Sequence, residues 1–415
     1  MMRISQFLLI GCFLGLVASQ SLMDLFFGLA TLFGAYLLLF VDRRESKAIP
    51  FPLWLLLAVP WIAWIGVGFY VTPDSRFSTK AMGDFIWLAQ VPLISLLWSK
   101  VDPKKDVLKP FLTILSIVCI YAIAIYFLGF DPLYEGWDAR TKNLETFWRT
   151  GGLFSNPMPL AHSYGPLALI FLPISLYYFQ KKDFKLIEVP LNFILLILTV
   201  LFSFTRGVWI ALALATISGA FIFKKRVGLI AIAVTLIGGG LMMTAWPKFR
   251  ERTLLVFDSQ KSYDSERIIL WKTNWRIFTD NPIAGIGYGE NKRRLREFYD
   301  QFKVPQGQFE GHAHNQYLHF LAGTGLVGLL FYVIWCGLFL KLTHELYVVN
   351  RDSGHKELSF LILGLLLAQL AFHFGSLTES NFSISKNRML LVFIWGFLIH
   401  LKRHPHQLPE NNSSR

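Results

Sequence analysis

The sequence predicts an all-α, polytopic integral membrane protein with about 12 transmembrane helices and one large helical loop on its outer face. Three observations carry that prediction. Apolar residues make up 54% of the 415 and charged residues only 16%, where a soluble domain carries about 25% charged, and the mean hydropathy is +0.46. The apolar residues are gathered into blocks of the length that spans a bilayer, about 20 residues. Lysine and arginine are distributed unevenly between the loops on the two sides, as they are in oriented membrane proteins.

Taken in order, the expected spans are 4–19, 22–41, 51–71, 84–98, 108–129, 160–179, 187–204, 207–223, 227–246, 314–341, 358–377 and 389–401. The opening run "MMRISQFLLIGCFLGLVASQS" contains a Leu-Ile-Gly-Cys step like a lipoprotein cleavage box. A second apolar block follows almost at once, so the run reads as a first span and not as a removed signal. Cys12, Cys119 and Cys336 all lie inside apolar blocks and behave as small hydrophobes, with no disulfide or metal pattern. The spans 84–98 and 389–401 are short, and 199–211 forms a tight hairpin around Thr205-Arg206-Gly207. The organisation is therefore nine spans over 1–246, a loop over 247–313, three spans over 314–401 and a tail over 402–415, with no internal repeat.

With the N-terminus inside, the short loops on that side hold 20 Lys and Arg against 8 on the other. Both termini are expected in the cytoplasm and the loop 247–313 outside. The net charge of +13 then reflects cytoplasmic loops facing anionic lipid, and nucleic acid is not implied. His162, Arg206, Arg267, His312, His314, His319 and His373 all fall at or near the outer face. The chemistry is expected there.

A structureless loop of this length is uncommon. "YDSERIILWKTNWRIFTDNP" predicts a helix with Asp264 or Ser265 as N-cap and Ile268, Trp271, Trp275 and Phe278 as an apolar stripe. "AGIGYGE" is a glycine-rich turn, and "NKRRLREFYDQF" predicts a second amphipathic helix with Leu295, Phe298 and Phe302 on one face. Arg267 is expected in the first turn, where the helix dipole disfavours a cation by about 0.3–1 kcal/mol. Helix stability does not explain it. It either joins the helix N-terminus in binding an anion or pairs with Asp264 or a lipid headgroup. Arg206 interrupts an apolar run between two helices, which makes it a functional residue by default, against a snorkelling role.

His312 and His314 open the stretch "GHAHNQYLHFLAGTGLVG", with His319 five residues on. No HExxH or Cys/His spacing supplies a catalytic zinc set. A histidine at the outer start of a helix, with an ordinary pKa of about 6.5, suits proton transfer. Gly323, Gly325 and Gly328 allow a close neighbour at this end.

The His-Asn pair of "HNQYLHFLAGTGLVG", followed nine residues on by Gly-x-x-Gly, resembles the bacterial O-antigen ligases and their relatives, the O-antigen polymerases and O-linked oligosaccharyltransferases. The likeness extends to the span number, the arginine of "FTRG", the outer loop and "SERIILWKTNWRIFTDNPIAGIGYG". It implies a GT-C-like fold in the bacterial inner membrane and an inverting glycosyl transfer at the periplasmic face that uses no metal or other cofactor. The donor would be an undecaprenyl-diphosphate-linked glycan and the acceptor a sugar hydroxyl of lipid A–core. By motif, His314 would be the general base, and Arg206 and Arg267 would hold the diphosphate. Asn315 either caps the helix or orients a substrate hydroxyl. His312, His319, Asn156 and His162 are expected around that centre, and Arg140, Arg149 and Lys80 are expected to face solvent or lipid. "SFTRG" has Thr where relatives often have Ser.

The nearest rival is a polymerase, which would need a second arginine cluster such as Arg293, Arg294 and Arg296. An O-linked protein oligosaccharyltransferase ranks third. A transporter of lipid-linked glycans would place ionisable residues at midplane, often in repeated halves. Here they gather at one face.

Overall fold

The computed structural model describes residues 1–41, 51–71, 83–130, 149–154, 156–182, 186–254, 263–291 and 312–404. Among these the chain is helical throughout, with no β-strand. The helices are α1 (Met2–Ala18), α2 (Gln20–Tyr36), α3 (Phe51–Val71), α4 (Trp87–Trp98), α5 (Leu108–Leu128), α6 (Pro157–Lys181) and α7 (Glu188–Phe202). They continue with α8 (Arg206–Phe223), α9 (Lys225–Ala245), α10 (Pro247–Leu254), α11 (Tyr263–Asp280), α12 (Gln316–Asp352), α13 (Lys356–Gly375) and α14 (Ser385–Arg403).

Each expected span overlaps one of these helices, and among the described residues seven helices are long and apolar enough to cross a membrane. The protein is a multi-pass membrane protein. α14 falls short of that apolarity because polar residues occupy its ends, yet nearly all of it is buried. It packs on α4, and α13 packs on α6, α8 and α12, so α6, α13 and α14 form the centre. Gly364 lets α13 close onto α6, because a Cβ there would strike the Ile170 carbonyl. α9 lies at the rim, with only 6% of its apolar window buried, and presents its face outward.

Local chemistry sets the ends that matter for the site. Asn156 caps α6, accepting from Met158 N at 2.9 Å, with Pro157 at the first helical position. Asn315 caps α12, accepting from Tyr317 N at 3.0 Å and Leu318 N at 3.1 Å.

The last long helix differs from expectation. α12 runs to Asp352 and is interrupted at Gly325, whose φ of 66° and ψ of −170° are not helical. The close neighbour that its glycines admit is the glycine-rich turn of the loop, not another helix. A Cβ on Gly325 would strike the Ile283 carbonyl, and one on Gly285 would lie 2.6 Å from the Gly323 carbonyl carbon.

α11 begins at Tyr263, so Asp264 and Ser265 fall inside its first turn, and Arg267 stands two or three residues further in than expected. Its buried side is Leu270, Thr273, Asn274 and Ile277, while Ile268 and Trp275 are half exposed. The expected stripe is thus partly turned away from the protein, while Asn274 on the buried side bonds Asn291 of the glycine-rich turn, which in turn meets His319 of α12. The expected helix in 291–302 lies outside the described residues beyond Asn291, as do Arg140, Lys80, Arg293, Arg294 and Arg296.

Candidate active site

The start of α12 and the loop after α13 are stitched together by hydrogen bonds. Gln316 is fully buried, and its N–H donates to the Ser376 carbonyl at 2.8 Å. Its Oε1 accepts from Phe382 N at 2.8 Å and Ser383 N at 3.1 Å. Asn315 adds a bond from Nδ2 to the Leu377 carbonyl at 3.1 Å. The loop 376–383 is therefore fixed against the segment that carries the two histidines.

At the centre of this junction is Glu379, 2% exposed. His312 Nε2 lies 2.6 Å from its Oε1, and His314 Nδ1 lies 3.0 Å from both carboxylate oxygens. Ser380 N donates to Oε1 at 2.9 Å. Burial alone would raise the Glu379 carboxyl, but hydrogen bonds and charge from His312 and His314 outweigh it and hold the group well below the ordinary carboxylate range. An ionised carboxylate only accepts, so the ring nitrogens facing it carry their protons. That places the Nδ1–H of His314 on Glu379, so that in the neutral ring the lone pair is on Nε2. Such a pair can take up a proton and stabilise the imidazolium that results. The donor atoms of His312, His314 and Glu379 also lie within 4.8 Å of one another, which is within reach of a single cation.

Two further helix ends meet this loop. A Cβ on Gly207 would run into Thr378 Oγ1, so the start of α8, with Arg206 as its first residue, is packed beside the residue preceding Glu379. The Arg206 guanidinium is half-buried and donates from Nη1 to the Arg252 carbonyl at 3.4 Å. His162, on α6, is buried, and a Cβ on Gly375 would sit 3.0 Å from its Nδ1. The charges acting on His162 are those of Glu379, Arg267 and His314. Arg267 Nη2 approaches Met158 Sδ at 3.9 Å, over the first turn of α6. The starts of α6, α8 and α12 thus converge with two arginines and the His–Glu group. Helix starts with guanidinium groups beside them attract anions, phosphates above all.

The structure therefore gathers Arg206, Arg267, His162, His312, His314 and Asn315 around one loop, with Asn156 as the α6 cap. His319 takes another role. Its Nδ1 is 2.9 Å from Asn291 Nδ2, and Asn291 bonds Asn274 at 2.7 Å, pinning the glycine-rich turn and α11 to α12. Arg149 corrects an expectation: it is 7% exposed, not solvated. Its Nε donates to the Ser203 carbonyl at 2.8 Å and its Nη2 to Thr205 Oγ1 at 3.3 Å, so it braces the hairpin that presents Arg206.

Sequence reading missed Glu379 and Gln316. The signal for Glu379 was present: an acidic residue in the short outer loop "SLTESNFS", opposite a pair of histidines.

A family model described as O-Antigen ligase matches residues 191–333. That stretch carries Arg206, Arg267 and both histidines and ends before Glu379. An O-antigen ligase of Salmonella typhimurium strain LT2 is 24% identical over 293 residues, covering 66% of this chain and 66% of the relative. An uncharacterized protein of Haemophilus influenzae strain Rd is 24% identical over 243 residues, covering 52% of this chain and 57% of the relative. The matches span less than two thirds of either relative's length. They support the O-antigen ligase family, the one its His-Asn motif resembles.

Proposed function

We propose that this chain, as a protein of the O-antigen ligase family, transfers a glycan from undecaprenyl diphosphate to a sugar hydroxyl of lipid A–core. The reaction takes place at the periplasmic face of the inner membrane, with both termini in the cytoplasm. The observation that carries the reading is the Glu379–His314 pair set beside two arginines at the start of three helices. His314 Nε2 takes the proton of the acceptor hydroxyl as the oxygen attacks the anomeric carbon. The bond from that carbon to the phosphate oxygen breaks, and the electrons leave on the diphosphate. One displacement inverts the anomeric centre. Arg206 and Arg267 hold the diphosphate and neutralise the charge that develops on it, where preorganised cations act most strongly. Glu379 orients His314 and stabilises its protonated form, and His312 holds the second side of that carboxylate.

The test is a reconstitution of purified protein with lipid-linked glycan and rough lipopolysaccharide in the presence of a chelator, comparing wild type with His314→Ala. Transfer by the wild type that is lost in the variant supports the ligase reading. Growth of glycan on the lipid carrier, with the core unlabelled, would replace it with a polymerase. Donor binding without chemistry would replace it with a transporter.

A further inference from the structure

We propose that His312, His314 and Glu379 form a binding site for one zinc-type divalent cation, and that its occupancy switches the transfer activity off. Three side chains from two segments present one borderline nitrogen each and one carboxylate oxygen to a common point. The separations are 2.6 Å from His312 Nε2 to Oε1 and 3.0 Å from His314 Nδ1 to the carboxylate, with all donors within 4.8 Å. Tetrahedral zinc, bound at about 2.0–2.1 Å, wants donors roughly 3.3 Å apart. Small side-chain rotations therefore suffice. Glu379 is already buried, and the stitching through Gln316 and Asn315 holds the two segments in register before any metal arrives. The His312 and His314 side chains remain 34% and 23% exposed, which leaves an entry path and a fourth position for water. Two imidazoles and one carboxylate select zinc, nickel or copper over magnesium and calcium, which prefer all-oxygen shells.

Binding is balanced without a change in proton count. Each neutral ring moves its one hydrogen to its other nitrogen through solvent, and the cation takes the lone pairs so freed on His314 Nδ1 and His312 Nε2. His314 then carries its hydrogen on Nε2, the atom that must accept the acceptor's proton, so the base is lost while the donor-holding arginines are untouched. The inhibitory half rests on the reading of His314 as general base, whereas the binding half stands on geometry alone.

The experiment uses the full chain purified through a histidine-free affinity tag, with zinc measured by equilibrium dialysis against a chromophoric chelator. One zinc per chain is expected, lost in both His312→Ala and Glu379→Gln and kept in His404→Ala at the far end of α14. In the reconstituted reaction, free zinc at about ten times the dissociation constant should leave about one-eleventh of the activity, and EDTA should restore it. Should Glu379→Gln fail to fold, His312→Ala carries the binding test. No stoichiometric zinc, or binding that survives both substitutions, overturns the site. Stoichiometric zinc that leaves transfer at the wild-type rate overturns the switch and removes His314 as the base.

Discussion

Replacing Glu379 by Gln tests the orientation of His314 with little change in shape. The carboxylate accepts from both histidines and from Ser380 N. Glutamine keeps one acceptor oxygen and adds an N–H₂ donor, so one imidazole must turn its lone pair inward. If that ring is His314, its hydrogen moves to Nε2, where the acceptor's proton should go. The least the variant loses is one charge-assisted hydrogen bond to the imidazolium, about 1.5–3 kcal/mol. At 1.36 kcal/mol per decade this lowers kcat by about 10–150-fold. A wholly wrong tautomer costs far more, up to about 10⁴-fold when the orienting carboxylate of a Ser-His-Asp triad becomes an amide. The assay is the initial rate of core labelling in proteoliposomes, with donor varied to separate kcat from KM. KM for the donor should stay within about twofold, because Arg206 and Arg267 are untouched, and Glu379→Asp should recover part of the rate. A Glu379→Gln enzyme within about threefold of wild-type kcat, with His314→Ala inactive, would refute the orienting role.

Arg149→Met and Arg149→Lys should both raise the donor KM several-fold with a smaller effect on kcat, since an ammonium cannot bridge Ser203 and Thr205 as the guanidinium fork does; initial rates against donor concentration check this. Gln316→Ala leaves the Phe382 and Ser383 amides without their acceptor, at about 1–3 kcal/mol for each buried donor, and denaturant unfolding in detergent should show that loss. Gly325→Ala forces a residue into a backbone region that glycine alone enters readily, costing about 1–3 kcal/mol before its clash with Ile283 is counted. Limited proteolysis of the 283–291 turn should report its release. Glu379 is held below its ordinary value of 4.5, so its contribution to stability is present above that value and fades as pH falls through the depressed one. The melting-temperature gap between wild type and Glu379→Gln should therefore narrow below about pH 4.

The spans were legible because bilayer length and apolarity are local properties of the chain. Even α14, whose polar ends take it below the apolarity of a free-standing span, was marked by its apolar middle. Arg206 was legible as a candidate for the converse reason, as a cation that interrupts an apolar run. What could not be read is pairing across the fold. Glu379 meets His314 from 65 positions away, and Arg149 reaches Ser203 across 54; no window on the sequence contains both partners. The loop charges were read through Lys and Arg, which report orientation, so the carboxylate of Glu379 drew no notice. α11 shows the same limit in another form. Its helical period was plain, but which face is buried depended on Asn274 finding Asn291 and His319, and polar pairs carry no periodic signal.

The backbone adds an argument that neither composition nor hydrogen bonding supplies. Among the described residues, three other than glycine have a left-handed φ: Lys182, Phe204 and His314. Lys182 ends a helix, where that conformation closes the last turn. Phe204 closes α7 in the same way, directly after its C-cap Ser203, whereas His314 stands ahead of the start of α12. His314, at φ 44°, stands against the Glu379 carboxylate, and Phe204, at φ 51°, stands two residues before Arg206 in the hairpin that Arg149 braces. Such conformations cost about 1–3 kcal/mol each and persist only where surrounding contacts overdetermine them. Here those contacts are known: Glu379, Asn315 and Gln316 around one, Arg149, Ser203 and Thr205 around the other. Under the proposed function, strain at His314 held by its buried brace is what preorganisation of a proton acceptor requires.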